Sequence, residues 1–599
     1  MLTQKALDHI QKTVFSLVNF CFAGEIKIAE YDGIKVEFDG RDAVIGCKDK
    51  AALARALFLL AMKSRSGAFS LEEKRGFDSF GVMIDLSRNR VLKAQTVKRY
   101  MDNLAALGFN AVMMYMEDVF EMEKYPRFGY MRGRYTLQEL KEIDDYAHAL
   151  GIEVIPCVET LGHMEQYLRW DEAGAVRDTA DCLLVGVPET YEFIEEIFKT
   201  MRAAFRSDRI HLNIDETWTL GTGTYKKLFG DKEKTEILYD HLDKLEVLCK
   251  QYGYHPVMSS DMFFRKLSPT GGYYDPVGHI TKEMASRLPE DMTICYWDYY
   301  HADKKHYDYF MEEHKRFERP ILFYGSNWTW EGFIEDTVYT YRTSVPAMLS
   351  ALENKMTDVI ISMWGDDGGE TDISTTVSTL PLFSEMCYKG RECSVEELDE
   401  VSGFLTGITF SDKLAIARIH HDFHQDKFFA KRIFYADLMY DLVNADYEYE
   451  KAMEDFRSVY EHTASCKNDH FRYCNQFAKC VIGKLEILHR LRPAYLKDDK
   501  VWLKQVCEDK LPALIREYRK FRKIFSTQWL ASSKPNGLET TENRLGAAIL
   551  RMETLIERLE AYLAGEAASI PELAGEYMIS EIPPYTMPAW KVMGTSYYV

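Results

Sequence analysis

The chain has 599 residues, of which 46% are hydrophobic, and its formal net charge at pH 7 is −20. A single hydrophobic core rarely organises a chain of this length, so we expect two to four domains. The acidic balance argues against nucleic acid or an anionic membrane as the main partner. No apolar stretch of the sequence is long enough to predict a membrane span.

The cysteines and the N-terminal segment favour a reduced compartment. The 12 cysteines include no C-x-x-C pair, so they indicate neither a zinc site nor a disulfide framework. Residues 1–20 have a helical period and lack the basic, apolar and small-residue order of a secretion signal. We expect a cytoplasmic protein without a metal or other cofactor. A homodimer is compatible with the sequence, which does not decide the oligomeric state.

Residues 1–75 predict a small α/β domain. The stretch "EIKIAEYDGIKVEFDG" (25–40) contains alternating strand-like runs. The stretch "DKAALARALFLLAMKSRSG" (49–67) predicts an amphipathic helix that ends at Gly67.

From Phe80 onward, short runs that are apolar on both faces alternate with helical patterns, which is typical of buried parallel strands. The first helical patterns end at Gly108 and Gly151, and the second opens with the capping box Thr136-x-x-Glu139. This alternation predicts a (β/α)₈ TIM barrel over residues 76–390. A doubly wound open sheet is the alternative, but no Gly-rich phosphate turn follows the first run. The runs are 80–87, 110–116, 152–158, 209–214, 255–260, 292–297, 320–325 and 358–364.

The strand signal disappears after about residue 390, and the sequence predicts an all-α domain over 391–599. The stretch "ENRLGAAILRMETLIERLEAYLAG" (542–565) has apolar residues at three-and-four spacing, as in an amphipathic helix. Helical patterns of this kind also fill residues 410–530. The polar, turn-rich stretch "KPNGLETTEN" (534–543) interrupts them without an evident reason.

Carboxylates and aromatic side chains follow the predicted barrel strands. The enzymes that use this fold carry out their chemistry at the C-terminal strand ends. Aromatic faces pack on sugar faces, and a carboxylic acid can protonate a departing glycosidic oxygen, so this combination favours glycoside chemistry. The adjacent pair Asp215-Glu216 suits the scheme in which the 2-acetamido oxygen of the substrate is the nucleophile. The other candidates are Arg88, His163, Asp261, Trp297, Tyr299, Tyr324, Trp328, Trp330, Trp364 and Asp366.

Three motifs resemble those of family 20 glycoside hydrolases, the β-N-acetylhexosaminidases. "HLNIDE" resembles their H-x-G-x-D-E signature, with Asn213 where glycine is usual. "ETLGHM" is similar to their D-x-P-G-H, with Glu159 and Leu161 replacing Asp and Pro and with His163 retained. "MWGDD" resembles their closing L-W-G-E. The small N-terminal domain and the helical C-terminal domain resemble the family branch that includes bacterial exo-acting N-acetylglucosaminidases.

The resemblance implies roles for the aligned residues. Glu216 would be the general acid/base, and Asp215 would orient the acetamido nitrogen. Arg88 would bind hydroxyls of the terminal sugar, Trp364 would form a platform for that sugar, and Asp366 would bind a further hydroxyl. The implied activity is exo-acting removal of terminal β-linked GlcNAc or GalNAc from glycans, with retention, through an oxazolinium intermediate.

Several roles stay open at this point. Trp297, Trp328 and Trp330 favour a sugar cage, while Tyr299 and Tyr324 compete as the phenol that binds the acetamido oxygen, with Tyr299 preferred. The rival functions are a barrel glycosidase with a protein carboxylate nucleophile and a non-catalytic sugar-binding barrel. The retained Glu216 argues against the second.

Overall fold

A computed structural model describes residues 3–420, 429–440, 449–466 and 468–575. Parts of the predicted all-α domain, at 421–428, 441–448, 467 and 576–599, lie outside the described residues. Within the described ranges, no helix has the length and apolar character needed to cross a membrane.

The chain begins with an α/β unit, residues 4–73, in which a four-stranded sheet packs against two helices. The strand order is β1-β3-β2-β4, with β1 parallel to β3, and β2 antiparallel to both β3 and β4. The side chain of Asp49 caps α2 by accepting a hydrogen bond from the N–H of Ala52. The elements are α1 (Gln4–Leu17), β1 (Ile26–Ala29), β2 (Ile34–Phe38), β3 (Ala43–Gly46), α2 (Lys50–Lys63) and β4 (Phe69–Glu73).

Eight parallel strands then form a closed barrel, in which the last strand pairs with the first. This barrel confirms the predicted fold class and excludes the open sheet. Most of its strand residues are buried, since side chains fill the interior and helices cover the outside. The strands are β5 (Ser79–Asp85), β6 (Ala111–Met116), β7 (Glu153–Val158), β8 (Arg209–His211), β9 (His255–Ser259), β10 (Thr293–Trp297), β11 (Ile321–Ser326) and β12 (Asp358–Met363).

The helices between and after these strands follow the predicted pattern. Helices α3 and α4 end at Gly108 and Gly151, both in the left-handed conformation, and Thr136 and Glu139 form the predicted capping box. The helices are α3 (Ala94–Leu107), α4 (Leu137–Leu150), α5 (Glu165–Leu168), α6 (Pro188–Ala204), α7 (Thr224–Phe229), α8 (Lys234–Tyr252), α9 (Asp261–Leu267), α10 (Lys282–Ser286), α11 (Lys304–Lys315), α12 (Thr337–Glu353) and α13 (Pro381–Lys389).

The remainder of the described chain is helical. It forms an apolar core that also takes in Phe333 and Ile334 from the loop after β11, whereas the N-terminal unit and the barrel share a second core. The helices of this helical region are α14 (Val395–Thr406), α15 (Phe410–Ile416), α16 (Phe429–Tyr435), α17 (Tyr449–Ala464), α18 (Asp469–Leu496), α19 (Lys500–Gln505), α20 (Leu511–Ser532), α21 (Leu538–Leu563) and α22 (Pro571–Ala574).

The polar stretch 534–543 is the place where the helical region meets the barrel. The N–H of Lys534 donates to the carbonyl of Val91, 2.8 Å away, and its ammonium lies 2.9 Å from Glu139. The side-chain amide of Asn536 donates to the carbonyl of Met131, at 2.8 Å. The polar residues of this stretch, which the sequence left unexplained, therefore form hydrogen bonds to the segments that follow β5 and β6.

Candidate active site

A left-handed turn carries Asp215 and Glu216 over the mouth of the barrel. Strand β8 ends at His211, earlier than the predicted end at residue 214, because Asn213, Ile214 and Glu216 have φ values of 55°, 67° and 50°. Asn tolerates this conformation better than other non-glycine residues do, which accounts for Asn213 at the glycine position of the motif. A β-branched residue such as Ile214 is strained there, so the surrounding contacts must fix the turn.

An imidazole lies between the two carboxylates. His163 Nε2 is 3.5 Å from Glu216 Oε2 and 3.7 Å from Asp215 Oδ2. Burial lowers the pKa of His163, but the two carboxylates outweigh burial and raise this pKa well above its ordinary value. Burial raises the pKa of Asp215, but His163 outweighs this effect and brings the pKa below its ordinary value. These pKa shifts favour a cationic imidazole beside an ionised Asp215.

Two further groups support Glu216. The hydroxyl of Tyr273 donates to Glu216 Oε1, 2.6 Å away. Asp261, which is fully buried, accepts the N–H of Glu216 at 3.0 Å and the indole N–H of Trp297 at 3.4 Å. Burial, followed by the charge of Asp215, raises the pKa of Asp261 well above its ordinary value. Asp261 thus connects the backbone of Glu216 to the aromatic wall.

Arg88 follows the end of β5 and has three side-chain hydrogen-bond partners. Its Nε donates to Glu117 Oε1 at 2.8 Å, its Nη2 donates to the hydroxyl of Tyr115 at 3.1 Å, and its Nη1 donates to Asp366. The guanidinium carbon lies 5.2 Å from the ring centroid of Trp364. These contacts bring together the predicted residues from the ends of β5 and β12.

A buried carboxyl connects those two strand ends. Asp85 accepts the N–H groups of Ser87, Arg88 and Gly365 at 2.9, 3.0 and 2.9 Å. Burial raises the pKa of Asp85 to about 6. The carboxyl of Glu159 is also buried, and neither of its oxygens has a hydrogen-bond partner among the described residues.

Aromatic side chains form the remaining wall. The ring centroid of Tyr299 lies 5.8 Å from that of Trp297 and 5.5 Å from that of Trp330. Trp328 is only 1% exposed, stacks on Trp330 at 4.1 Å, and donates its indole N–H to the carbonyl of Tyr299. The structure therefore places Trp328 one layer behind the predicted sugar cage, where it supports Trp330 and Tyr299.

Two family models match this chain. Residues 77–306 match the catalytic domain of glycosyl hydrolase family 20, and residues 412–586 match the glycoside hydrolase 20C C-terminal domain. The chain belongs to glycoside hydrolase family 20. Both the predicted family and the predicted barrel are confirmed.

Individual relatives are distant. Hexosaminidase D of Bos taurus is 26% identical over 204 residues, which cover 32% of this chain and 55% of that protein. A β-hexosaminidase of Akkermansia muciniphila is 27% identical over 169 residues, which cover 23% of this chain and 34% of that protein. The chain thus spans about half or less of the length of these two relatives.

The fold has a solved counterpart. The exo-β-N-acetylglucosaminidase from Vibrio harveyi, in complex with N-acetylglucosamine, matches with a TM-score of 0.51 and 14% identity. The match covers 69% of this chain and 73% of that chain. At this identity the likeness shows the fold alone.

The two phenols that the sequence left in competition occupy different places in this family 20 barrel. The hydroxyl of Tyr324 lies 2.7 Å from Met113 Sδ, in the barrel interior. Tyr299 lies at the rim, where burial, followed by charges that include those of Asp366 and Glu216, raises its pKa well above the ordinary value. The charge of Asp215 acts on the pKa of both phenols, whereas that of Glu216 is among the causes for Tyr299.

Sequence reasoning missed Tyr273, the hydrogen-bond donor to Glu216. It lies in the loop between α9 and α10, away from any strand end, and nothing local distinguishes it from the other tyrosines, of which the chain has 37. The long loop after β9 is the one signal that could have drawn attention to it, since loops at this end of a barrel carry function.

Three groups of side chains in the described ranges have the geometry to hold a metal. One is His163 with Asp215 and Glu216, which is the acid pair itself. A second is Asp298 with His301 and His306, where the imidazoles donate to Asp298 at 3.0 and 2.9 Å. The third is buried and comprises Glu331, Asp336 and His420.

Proposed function

We propose that this protein is an exo-acting β-N-acetylhexosaminidase that releases terminal β-linked GlcNAc, and GalNAc where the 4-epimer fits, from glycans. The observation that carries the proposal is the arrangement of Asp215, Glu216 and His163 at one wall of the barrel mouth. The Arg88–Asp366 pair lies at another wall. Membership of family 20 supports the same activity.

The proposed reaction divides the work between the adjacent carboxyls. Glu216 protonates the leaving oxygen, with Tyr273 and His163 fixing its side chain. Asp215, ionised beside the cationic His163, accepts the acetamido N–H and stabilises the positive charge that develops on the oxazolinium ion. Water then opens that ion, with Glu216 acting as the base, so that the β-configuration is retained.

The remaining residues hold the terminal sugar. Arg88 and Asp366 present a donor and an acceptor to its hydroxyls, and Trp364 supplies an apolar face beside them. Tyr299 donates its hydroxyl to the acetamido oxygen, within a wall that also contains Trp297 and Trp330. A carbonyl oxygen that is held in this way is pre-aligned for attack on carbon 1.

A protein nucleophile is disfavoured by the surroundings of the other carboxyls. A retaining enzyme of that kind needs an ionised second carboxylate about 5–5.5 Å from the acid. Burial, followed by the charge of Asp215, raises the pKa values of Glu159 and Asp261 well above the ordinary range. Asp366 is engaged by Arg88. A non-catalytic sugar-binding barrel would not need a strained turn that presents two carboxyls.

We also propose a cytoplasmic location. All 12 cysteines are free and 10 of them are buried, which supports a reduced compartment. A homodimer stays a prediction, and size-exclusion chromatography with light scattering is the measurement that tests it.

The first test is Glu216→Gln. We expect the variant to keep its circular dichroism spectrum and to lose about 10²–10⁴-fold in kcat on a disaccharide substrate, because a poor leaving group needs the proton. The wild type should hydrolyse 4-nitrophenyl β-GlcNAc far faster than the β-glucoside, which has no acetamido group.

Two outcomes would contradict this proposal. Near-normal turnover of the disaccharide by Glu216→Gln would remove Glu216 from the acid role. A sugar attached to an Asp or Glu, detected by mass spectrometry of protein quenched during turnover of a 2-fluoro glycoside, would replace the acetamido nucleophile by a protein carboxylate.

A further inference from the structure

A pocket opens near the acid, and none of the roles given above uses it. The pocket is lined by Trp218 and Arg265 among other residues. The N–H of Trp218 donates to the carbonyl of Glu216 at 2.6 Å. The ring of Trp218 lies 5.2 Å from that of Tyr273, whose hydroxyl contacts the Glu216 carboxyl. Trp218 therefore forms a wall of the pocket and also contacts the tyrosine that holds the acid.

Arg265 is the unusual group in this pocket. Its guanidinium carbon lies 3.0 Å from the ring centroid of Trp218, and its Nη1 is buried without a hydrogen-bond partner among the described residues. Arg287 shows the ordinary arrangement nearby: it stacks on Tyr239 at 4.0 Å and also pairs with Glu236 at 2.7 Å. Arg265 has the aromatic contact but not the carboxylate, so a planar donor is left without an acceptor.

The other charges of the pocket do not supply that acceptor. The ammonium of Lys234 donates to the carbonyl of Trp218, and Lys266 lies 3.4 Å from Glu233. The lining thus contains Lys234, Arg265 and Lys266 against one carboxylate, Glu233. A local positive excess in a chain with a net charge of −20 favours an anion at this place.

We propose that this pocket binds the aglycone sugar and is selective for one that carries an anionic substituent, a carboxylate or a phosphate. This inference rests on the proposed function. If Glu216 protonates the leaving oxygen, the aglycone lies on the side of Glu216, where the pocket is. A guanidinium binds such an anion through two parallel N–H donors, which a neutral hydroxyl cannot match. The ring of Trp218, 3.0 Å from the guanidinium carbon, restricts where those donors lie.

The experiment compares three disaccharides with β-1,4-linked GlcNAc on glucose, on glucuronate and on glucose 6-phosphate. They differ only at carbon 6 of the aglycone. We expect the wild-type kcat/KM on at least one anionic substrate to exceed that on the neutral one by about tenfold or more. The ratio should fall as NaCl rises from about 0.05 M to about 0.5 M. The glucuronate and phosphate arms identify which anion the pocket prefers.

The variants separate a binding role from a structural one. Arg265→Met should lower the anionic-to-neutral ratio about tenfold, and Arg265→Lys should restore part of it, because the charge returns without the fork. Arg287→Met is the matched control, a stacked arginine outside the pocket, and should leave the ratio unchanged. A ratio near one in the wild type, or an unchanged ratio in Arg265→Met, would overturn the inference.

The failure of the proposed function is a different result. If the wild type cleaves 4-nitrophenyl β-GlcNAc and shows no preference among the three disaccharides, the proposed function stands and only the inference is overturned. If it cleaves none of the four substrates, both are overturned. If Arg265→Met does not fold, the salt dependence of the wild-type ratio and the Arg265→Lys variant still decide the matter.

Discussion

The N-terminal unit and the helical region are both joined to the barrel through buried cations, but the joints lie at different distances from the site. In the first joint, Arg55 on α2 is fully buried, with its Nε 2.7 Å from Glu73 and its Nη2 3.0 Å from Glu385 on α13. It also stacks on Tyr388 at 4.1 Å. None of these partners contacts a residue that we place in the site.

In the second joint, two cations of the helical region form ion pairs with the loop after β12. The ammonium of Lys431, on α16, lies 2.9 Å from Glu370 and 3.1 Å from Asp367. Arg544, on α21, lies 2.9 Å from Glu370 and 3.1 Å from Asp367. Asp367 directly follows Asp366, the partner of Arg88. The helical region therefore holds a loop that carries part of the sugar-binding wall.

The comparison shows that buried ion pairs of the same kind have different consequences. In the first joint they hold two units together, and in the second they also hold a loop of the site. A buried ion pair is weak evidence of net stabilisation, although breaking one is costly. The loop after β12 needs an external constraint, because Asp367, Gly368 and Gly369 have φ values of 54°, 133° and 59°. Asn89, next to Arg88, bonds the carbonyls of both Gly368 and Gly537. The second joint thus aligns two walls of the site.

The largest effect is expected for Lys431→Met. This change leaves two acidic groups in a buried joint with one cation fewer, and we expect the free energy of unfolding to fall by about 3–5 kcal/mol. It should also lower kcat/KM on 4-nitrophenyl β-GlcNAc by about tenfold or more, since a displaced Asp366 weakens transition-state binding. Urea unfolding and steady-state kinetics measure the two losses.

Lys431→Arg, which retains the charge, is the control and should recover most of the activity. Loss of stability together with wild-type kcat/KM in Lys431→Met would show that the second joint does not align the site.

The first joint should respond differently. Arg55→Met leaves Glu73 and Glu385 without their buried partner, so we expect a comparable fall of about 3–5 kcal/mol in the free energy of unfolding. Because the joint does not touch the site, kcat/KM per folded molecule should stay at the wild-type value. A large fall in kcat/KM at a temperature where the variant is folded would erase the distinction between the joints.

The smallest expected effect is on how the free energy of unfolding depends on pH. Tyr146 donates to Asp102 on α3, and the ring of Tyr146 lies 6.4 Å from His9 of α1. Burial raises the pKa of Asp102 from 3.8 to about 6. A raised carboxyl pKa contributes stability that is fully present below the unfolded value and is lost as pH rises through about 6.

Asp102→Asn should therefore flatten the decline in the free energy of unfolding between about pH 4 and pH 7. Urea unfolding at several pH values tests this expectation, with kcat/KM at each pH as the companion measurement. Parallel stability curves for wild type and variant would mean that Asp102 does not titrate in this range.

The strands were predictable because each is a short run that is apolar on both faces. Seven runs ended within two residues of the observed strand end, but β8 ended early, since Asn213 and Ile214 turn out of the sheet with positive φ. Apolar pattern alone does not encode that turn. The predicted roles of the site residues remain proposals, although the structure does bring most of them together.

The sequence could not predict contacts between distant segments. Tyr273 contacts Glu216 at a sequence separation of 57 residues, and Arg544 contacts Asp367 at a separation of 177 residues. No local period predicts such pairs, because they depend on how finished elements pack. Trp328 shows a second limit of the sequence. It lies two residues from Trp330 in the chain, but its burial makes it a packing partner of Trp330 and not a residue that faces the sugar.

The long separation between Asp367 and Arg544 sets an order of events during synthesis. A ribosome adds about 5–20 residues per second, and N-terminal parts fold first. The 177 residues between the two partners correspond to a delay of about 10–35 seconds. During that interval the barrel strands are complete while the loop beside Asp366 has no guanidinium from α21. A chain released before α21 would contain every proposed catalytic residue and would lack the Arg544 contacts to the loop after β12.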